Sequence, residues 1–188
     1  HSTDRLKYMR PFVLLVALCL MTACGTQYRD PSSPITPQAD FDPSQYLGTW
    51  YEIARFPVSF QEGCTATTAT YGLIDDNTIS VVNRCRDGAP DGPMKEITGT
   101  ATIEGPGQLR VKFASVPFVR APYWVLWVDE DYDTAVVGVP NGRAGWILAR
   151  TPDITPETRM RAEDILRTNG YDTLALIEVP HQAPSASD

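Results

Sequence analysis

The sequence predicts an all-β domain: an eight-stranded antiparallel meander, one C-terminal helix and a short extra strand. Two observations carry that prediction. Residues 43–180 hold eight runs rich in β-branched and aromatic residues at eight-to-twelve-residue spacing, and turn-forming residues sit between them. Around this middle lie a short apolar N-terminal stretch, a proline-bearing segment and a polar tail, so the 188 residues divide into one domain with appendages.

The runs are 50–57, 64–73, 78–86, 94–104, 109–114, 123–129, 133–139 and 144–151. Asp75-Asp76-Asn77, Gly88-Ala89-Pro90-Asp91-Gly92, Gly105-Pro106-Gly107 and Asn141-Gly142 separate four of the pairs, supplying residues that tolerate tight-turn backbone. Eight antiparallel strands are enough to close an up-and-down β-barrel, although spacing alone also allows a sandwich. After the meander, Thr155 is the expected helix N-cap, Pro156 fits the first turn and Gly170 ends it. Thr158, Ala162, Ile165 and Leu166 form a narrow apolar stripe opposite Arg159, Arg161 and Asp164, which suits a helix lying on the outside of the sheet. Residues 173–179 read as the last strand.

Composition excludes several function classes. Sixteen basic against 23 acidic residues give a net charge of −7, which argues against a nucleic-acid partner and against attraction to anionic lipid by charge. The only histidines, His1 and His181, lie near the termini, so a Ser-His-Asp or Cys-His catalytic centre and a histidine-rich zinc site are not expected. Asp129-Glu130-Asp131-Tyr132-Asp133 has the opening rhythm of a calcium loop. Thr134 stands where such a loop needs glycine and Pro140 where it needs the bidentate glutamate, so a solvated hairpin turn is expected. No metal and no cofactor are expected.

The N-terminus reads as a signal. Arg5, Lys7 and Arg10 precede an uncharged run over 11–23, too short for the roughly 20 residues of a membrane-spanning helix. Met9 before Arg10 leaves open whether residues 1–8 are native. The run ends Leu20-Met21-Thr22-Ala23-Cys24-Gly25, which resembles the bacterial lipobox, with Met21 where that motif usually has leucine. The resemblance implies a signal peptide over 1–23, cleavage before Cys24 and lipidation of that cysteine. Gly25 after the cysteine resembles the sorting signal of outer-membrane cargo facing the periplasm. The alternative is an ordinary secretory signal followed by an unmodified cysteine. Loss of Asp4, Arg5, Lys7 and Arg10 would leave 13 basic and 22 acidic residues, net −9. Pro31, Pro34 and Pro37 make 24–42 an expected semi-extended tether, and 181–188 an expected flexible tail. The remaining cysteines, Cys64 and Cys85, flank the hairpin that turns at 75–78, and in an oxidising compartment they are expected to form a disulfide.

Three blocks carry a family resemblance. Tyr46-Leu47-Gly48-Thr49-Trp50-Tyr51-Glu52 resembles the Gly-x-Trp block that opens the first strand of lipocalins. Asp129-Glu130-Asp131-Tyr132-Asp133-Thr134-Ala135 is similar to the family's second block, and Trp146-Ile147-Leu148-Ala149-Arg150-Thr151-Pro152 to its third. They occur in order, and the similarity spans 43–180, nearest to the bacterial outer-membrane lipocalin and apolipoprotein D group. The resemblance implies a closed eight-stranded lipocalin barrel. It also implies that Gly48, Trp50 and Arg150 are structural, the guanidinium lying over the indole at the closed end.

Alternation in such a barrel yields a candidate lining. Trp146 and Leu148 are the inner residues of the eighth strand, with Val111 and Phe113 on the fifth and Ala54 and Phe56 on the first. Spacing alone does not choose between Tyr123, Val125 and Trp127 and the opposite parity of Trp124, Leu126 and Val128; the resemblance favours the Tyr123 set. Phe60 and Phe118 are candidate mouth residues, and Tyr123 or Arg120 a candidate headgroup contact. The expected partner is a small hydrophobic ligand, a fatty acid or lysophospholipid, bound reversibly by a protein tied to the membrane through its N-terminal lipid. A homodimer sharing a mouth is compatible with the sequence. Two other readings stay open: an enzyme using Glu52 as an acid on a lipophilic substrate, and a structural envelope lipoprotein with a solid barrel.

Overall fold

A computed structural model describes residues 25–181. The signal peptide over 1–23, the lipidation expected at Cys24 and the tail beyond His181 lie outside the described residues. A short helix α1 (Pro43–Tyr46), capped by the Asp42 carboxylate, leads into β1 (Gly48–Arg55). The meander continues through β2 (Cys64–Asp75), β3 (Thr78–Asp87), β4 (Met94–Gly105), β5 (Gln108–Phe113), β6 (Arg120–Val128), β7 (Thr134–Gly138) and β8 (Gly145–Ala149). Each strand pairs antiparallel with the next, and β1 pairs with both β2 and β8, so the sheet closes into a barrel rather than a sandwich.

The helix α2 (Pro156–Thr168) follows, with the Thr155 hydroxyl accepting from Thr158 N and Gly170 at φ +87° just past its end. The strand expected over 173–179 shrinks to β9 (Ile177–Glu178). Asp172 instead caps a 3-10 turn at Thr173–Ala175 by accepting from Leu174 N, which uses up the first half of the segment.

Two apolar layers result. Inside the closed end, Phe41, Tyr46, Trp50, Val125, Val128, Val137 and part of Leu148 pack as a floor. Arg150 clamps this floor from outside: its guanidinium carbon lies 3.9 Å from the Trp50 ring centroid. Its nitrogens donate to Tyr132 O, Thr49 O and Gln45 O at 3.1, 3.2 and 2.9 Å. Outside the barrel, α2 lays Ala162 and Leu166 against Ile53, Ala54, Phe56, Leu126, Val136, Ile147 and Tyr171. Gly138 and Gly145 make room for that layer. A Cβ on the first would sit 2.8 Å from the Tyr171 hydroxyl and on the second 2.9 Å from the Phe56 ring.

The segment expected to be a tether is bound to the barrel from Gln27 onward, whose carboxamide donates to Asn141 O. Arg29 is buried and donates to Asn169 O at 2.6 Å, Pro140 O at 3.1 Å and Ser33 O. Gln38 N donates to Val125 O at 2.9 Å, and its carboxamide oxygen accepts from Val128 N at 2.7 Å. Proline-rich composition predicts a semi-extended path; the segment turns at 31–33 and at 39–40. What composition does not reveal is that Tyr28, Arg29, Gln38 and Phe41 fill positions that the bulges and turns of the barrel leave open. His181, assigned to the tail, packs edge-on against Tyr51.

Cys64 and Cys85 form a disulfide across β2 and β3, their Cα atoms 5.4 Å apart. The acidic cluster is a turn: Asp129 Oδ1 accepts from Asp133 N at 2.7 Å and Thr134 N at 3.0 Å.

Arg150→Ala removes the ring contact and three hydrogen bonds at once. It is expected to lower stability by about 3 kcal/mol, roughly 6–12 °C in Tm for a chain of this size, while affinity for a small hydrophobic ligand changes less than about twofold. Thermal unfolding by circular dichroism beside a binding titration checks both.

Candidate functional site

Above the floor the barrel is hollow. A cavity of about 120 Å³ is lined by Val81, Val111, Phe113, Ala121, Pro122, Tyr123, Trp146 and Leu148 on its apolar side. Glu52, Gln61, Thr67, Thr68, Ala69, Tyr71 and Asn83 form the rest, and Phe60 stands at the rim. A second, more open hollow of about 470 Å³ adjoins it at the mouth, sharing Phe60, Ala121, Pro122 and Trp146.

Of the residues selected from sequence, Phe60, Val111, Phe113, Tyr123, Trp146 and Leu148 surround the cavity. Val125 points inward but is fully buried in the floor beneath it. Ala54, Phe56 and Trp127 are corrected: all three belong to the outer layer. The cause is a break in alternation on each strand. In β1 the pairing with β8 runs Glu52↔Leu148 and then Ala54↔Ile147, so one extra residue turns Ala54 and Phe56 outward and Arg55 inward. In β6 the pairing with β7 runs Val125↔Val137 and then Trp127↔Val136, which turns Leu126 and Trp127 out and Val128 back in. Trp127 there lies under Arg161 of α2, 5.9 Å from ring centroid to guanidinium carbon. Phe118, the other expected mouth residue, is 98% exposed on the β5–β6 loop.

The polar side of the cavity is ordered. Glu52 Oε1 accepts from Arg55 Nη1 at 3.1 Å, and Gln61 Nε2 donates to both carboxylate oxygens at 3.2 and 3.0 Å. Gln61 Oε1 in turn accepts from Trp146 Nε1 at 2.9 Å, which fixes the indole against the opening. Lower down, the Tyr123 hydroxyl bridges those of Tyr46 and Tyr71 at 2.6 and 2.8 Å. Burial pushes all three phenols above their ordinary range, so they stay protonated and polar without charge. Burial likewise pushes the Glu52 carboxyl up, against the opposing pull of Gln61 and Arg55.

Sequence reasoning placed no residue of β2 or β3 in the lining. The signal was present: Thr67, Ala69 and Tyr71 alternate on β2, as do Val81 and Asn83 on β3. Small and polar residues at those positions do not read as an interior face.

Because the folded value of Glu52 is raised, its contribution to stability is full below the ordinary value of 4.5 and lost as pH rises through the raised one. A carbon-13 NMR titration of the Glu52 carboxyl is expected to give a midpoint above 4.5. A midpoint at or below that value would mean that Arg55 outweighs burial.

Residues 41–181 match the family model of the lipocalin-like domain. The chain is 36% identical over 167 residues to the outer membrane lipoprotein Blc of Escherichia coli K12, covering 87% of this chain and 91% of that protein. It is 35% identical over 176 residues to apolipoprotein D of Mus musculus, covering 87% and 90%. Among solved structures it is similar to insecticyanin of the tobacco hornworm Manduca sexta, with a TM-score of 0.66 at 23% identity over 84% of this chain and 90% of that one. With the closed barrel, the Trp50–Arg150 clamp and these matches together, the chain belongs to the lipocalin family.

Proposed function

We propose that this chain is a lipid-anchored carrier of the outer membrane that reversibly takes up fatty acids or lysophospholipids, with no chemical step. The observation that carries the reading is the hollow upper barrel, whose apolar wall of Val111, Phe113, Tyr123, Trp146 and Leu148 is open at one end. Such a wall gains about 25 cal/mol for each Å² of apolar surface removed from water, enough to hold part of an acyl chain. Its volume is below the roughly 300–1,000 Å³ of sites that enclose a drug-sized ligand, so the rest of the chain extends through the adjoining hollow at the mouth. The hydrogen bonds that hold Glu52 support a binding role for it over an acid's role. The similarity to an outer membrane lipoprotein supports the location.

Gly25 borders the hollow at the mouth and lies against the Arg143 side chain. Phe60 and Val119 there are 72% and 57% exposed, as suits an opening turned toward lipid.

Native mass spectrometry of delipidated barrel with vaccenic acid or a lysophospholipid is expected to show one ligand per barrel. No saturable binding of any lipid would end the carrier reading. Independently, labelled palmitate is expected to enter the wild-type protein in a bacterial host and to be absent from Cys24→Ser.

A further inference from the structure

Four residues border both the inner cavity and the outer hollow, and so frame the passage between them: Phe60, Ala121, Pro122 and Trp146. Ala121 and Pro122 are set by the backbone of β6, which pairs them with Val111 and Arg110 of β5, and neither has a side chain that can swing aside. The width of the passage is therefore set by two rings, those of Phe60 and Trp146.

One side chain ties those rings to the barrel. Phe60 and Gln61 are neighbours in the 3-10 turn at Ser59–Gln61, within the connection from β1 to β2. That connection is fastened at either end, where the Tyr28 hydroxyl donates to Pro57 O at 2.6 Å and Gly88 N donates to Gly63 O at 2.7 Å. Between these ties Gln61 reaches inward. Its Nε2 donates to both oxygens of Glu52, and its Oε1 accepts from Trp146 Nε1 at 2.9 Å. Its main-chain oxygen accepts from Nη2 of the buried Arg55 at 3.2 Å. The carboxamide has one satisfactory orientation. A carboxylate only accepts, so the amide nitrogen faces Glu52 and the amide oxygen is left for the indole N–H. A line of bonds thus runs from β1 through the turn to β8, and it pins the Trp146 ring and the turn that carries Phe60 to one another.

A ligand that occupies both hollows has to pass between these rings, and parting them breaks the bonds of Gln61. We propose that Gln61 is the latch of the mouth, a positioning residue that sets how fast an apolar ligand enters and leaves rather than which ligand is held. The proposal rests on the carrier reading and adds its kinetic control. A latch slows passage in both directions, because the same opening serves entry and exit. Loss of an ordinary ligand contact acts mainly on exit.

The test is stopped-flow fluorescence on the intact barrel with two probes, ionised cis-parinaric acid and neutral N-phenyl-1-naphthylamine, with exit followed by displacement with excess oleate. In Gln61→Leu, entry and exit of both probes are expected to speed by the same factor, about fivefold. Gln61→Glu sets two carboxylates face to face and is expected to act in the same direction. Glu62→Gln, an exposed change on the same connection, is expected to leave both rates as they are. Without any ligand, the Trp146 Nε1–H signal in proton–nitrogen NMR is expected to exchange with water faster in Gln61→Leu than in the wild type. Exit alone speeding up, both rates staying unchanged in Gln61→Leu and Gln61→Glu, or the indole proton staying equally protected overturns the latch and leaves the carrier reading in place. Failure of both probes and oleate to bind the wild-type barrel overturns the carrier reading itself.

Discussion

β1 pairs with β8 along one edge and with β2 along the other, and that double pairing turns a meander into a cup. A strand shared by both ends of a closed sheet must bend, and the bend is made by the irregularity between Glu52 and Ala54. The cost of the bend is a slip in alternation. Before it, Trp50 and Glu52 face the interior; after it, Ala54 and Phe56 face α2. The slip between Val125 and Trp127 in β6 does the same on the opposite side. Two bulges therefore divide the apolar residues between a floor, a hollow and an outer layer, where unbroken alternation would have placed them all inside.

The outer layer depends on that division. Phe56 and Tyr171 stack with ring centroids 5.0 Å apart, and Tyr28 from the N-terminal segment stacks on the other side of Phe56 at 5.1 Å. The Tyr171 hydroxyl accepts from Val139 N and donates to Ala144 O, so it bridges the ends of the β7–β8 connection. Had Phe56 turned inward, it would fill space near the rim, and the helix side would lose its largest ring. The hollow and the external helix are two consequences of one backbone irregularity.

Inside, the wall is unequal. β5, β6 and β8 contribute apolar and aromatic side chains, whereas β1, β2 and β3 contribute most of the polar atoms, through Glu52, Thr67, Tyr71 and Asn83, beside Ala69 and Val81. Most of the polar atoms satisfy one another, through Arg55 and Gln61 at the rim and through the three phenols at depth. The low-dielectric interior makes each satisfied pair strong and each unpartnered atom costly, which is why Thr67 and Asn83 stand out in an otherwise closed network.

The strand count, the turns, the helix with its Thr155 cap and the Cys64–Cys85 pairing were legible in the sequence, because each follows from local periodicity, from residues a few positions apart or, for the cysteines, from the two arms of one hairpin. Trp50 and Arg150 were legible only through the family's blocks, since their contact spans the whole barrel. Three things were decided by tertiary structure alone. The phase of β1 and β6 past their bulges depends on how neighbouring strands register, and no single strand encodes that. The docking of 25–42 depends on acceptors and donors exposed by elements far away in the chain, such as Asn169 O and Val128 N. The polar wall depends on closure itself: Thr67 and Asn83 look like surface residues until β1 joins β2 to β8 and encloses them, away from the water that would otherwise satisfy them.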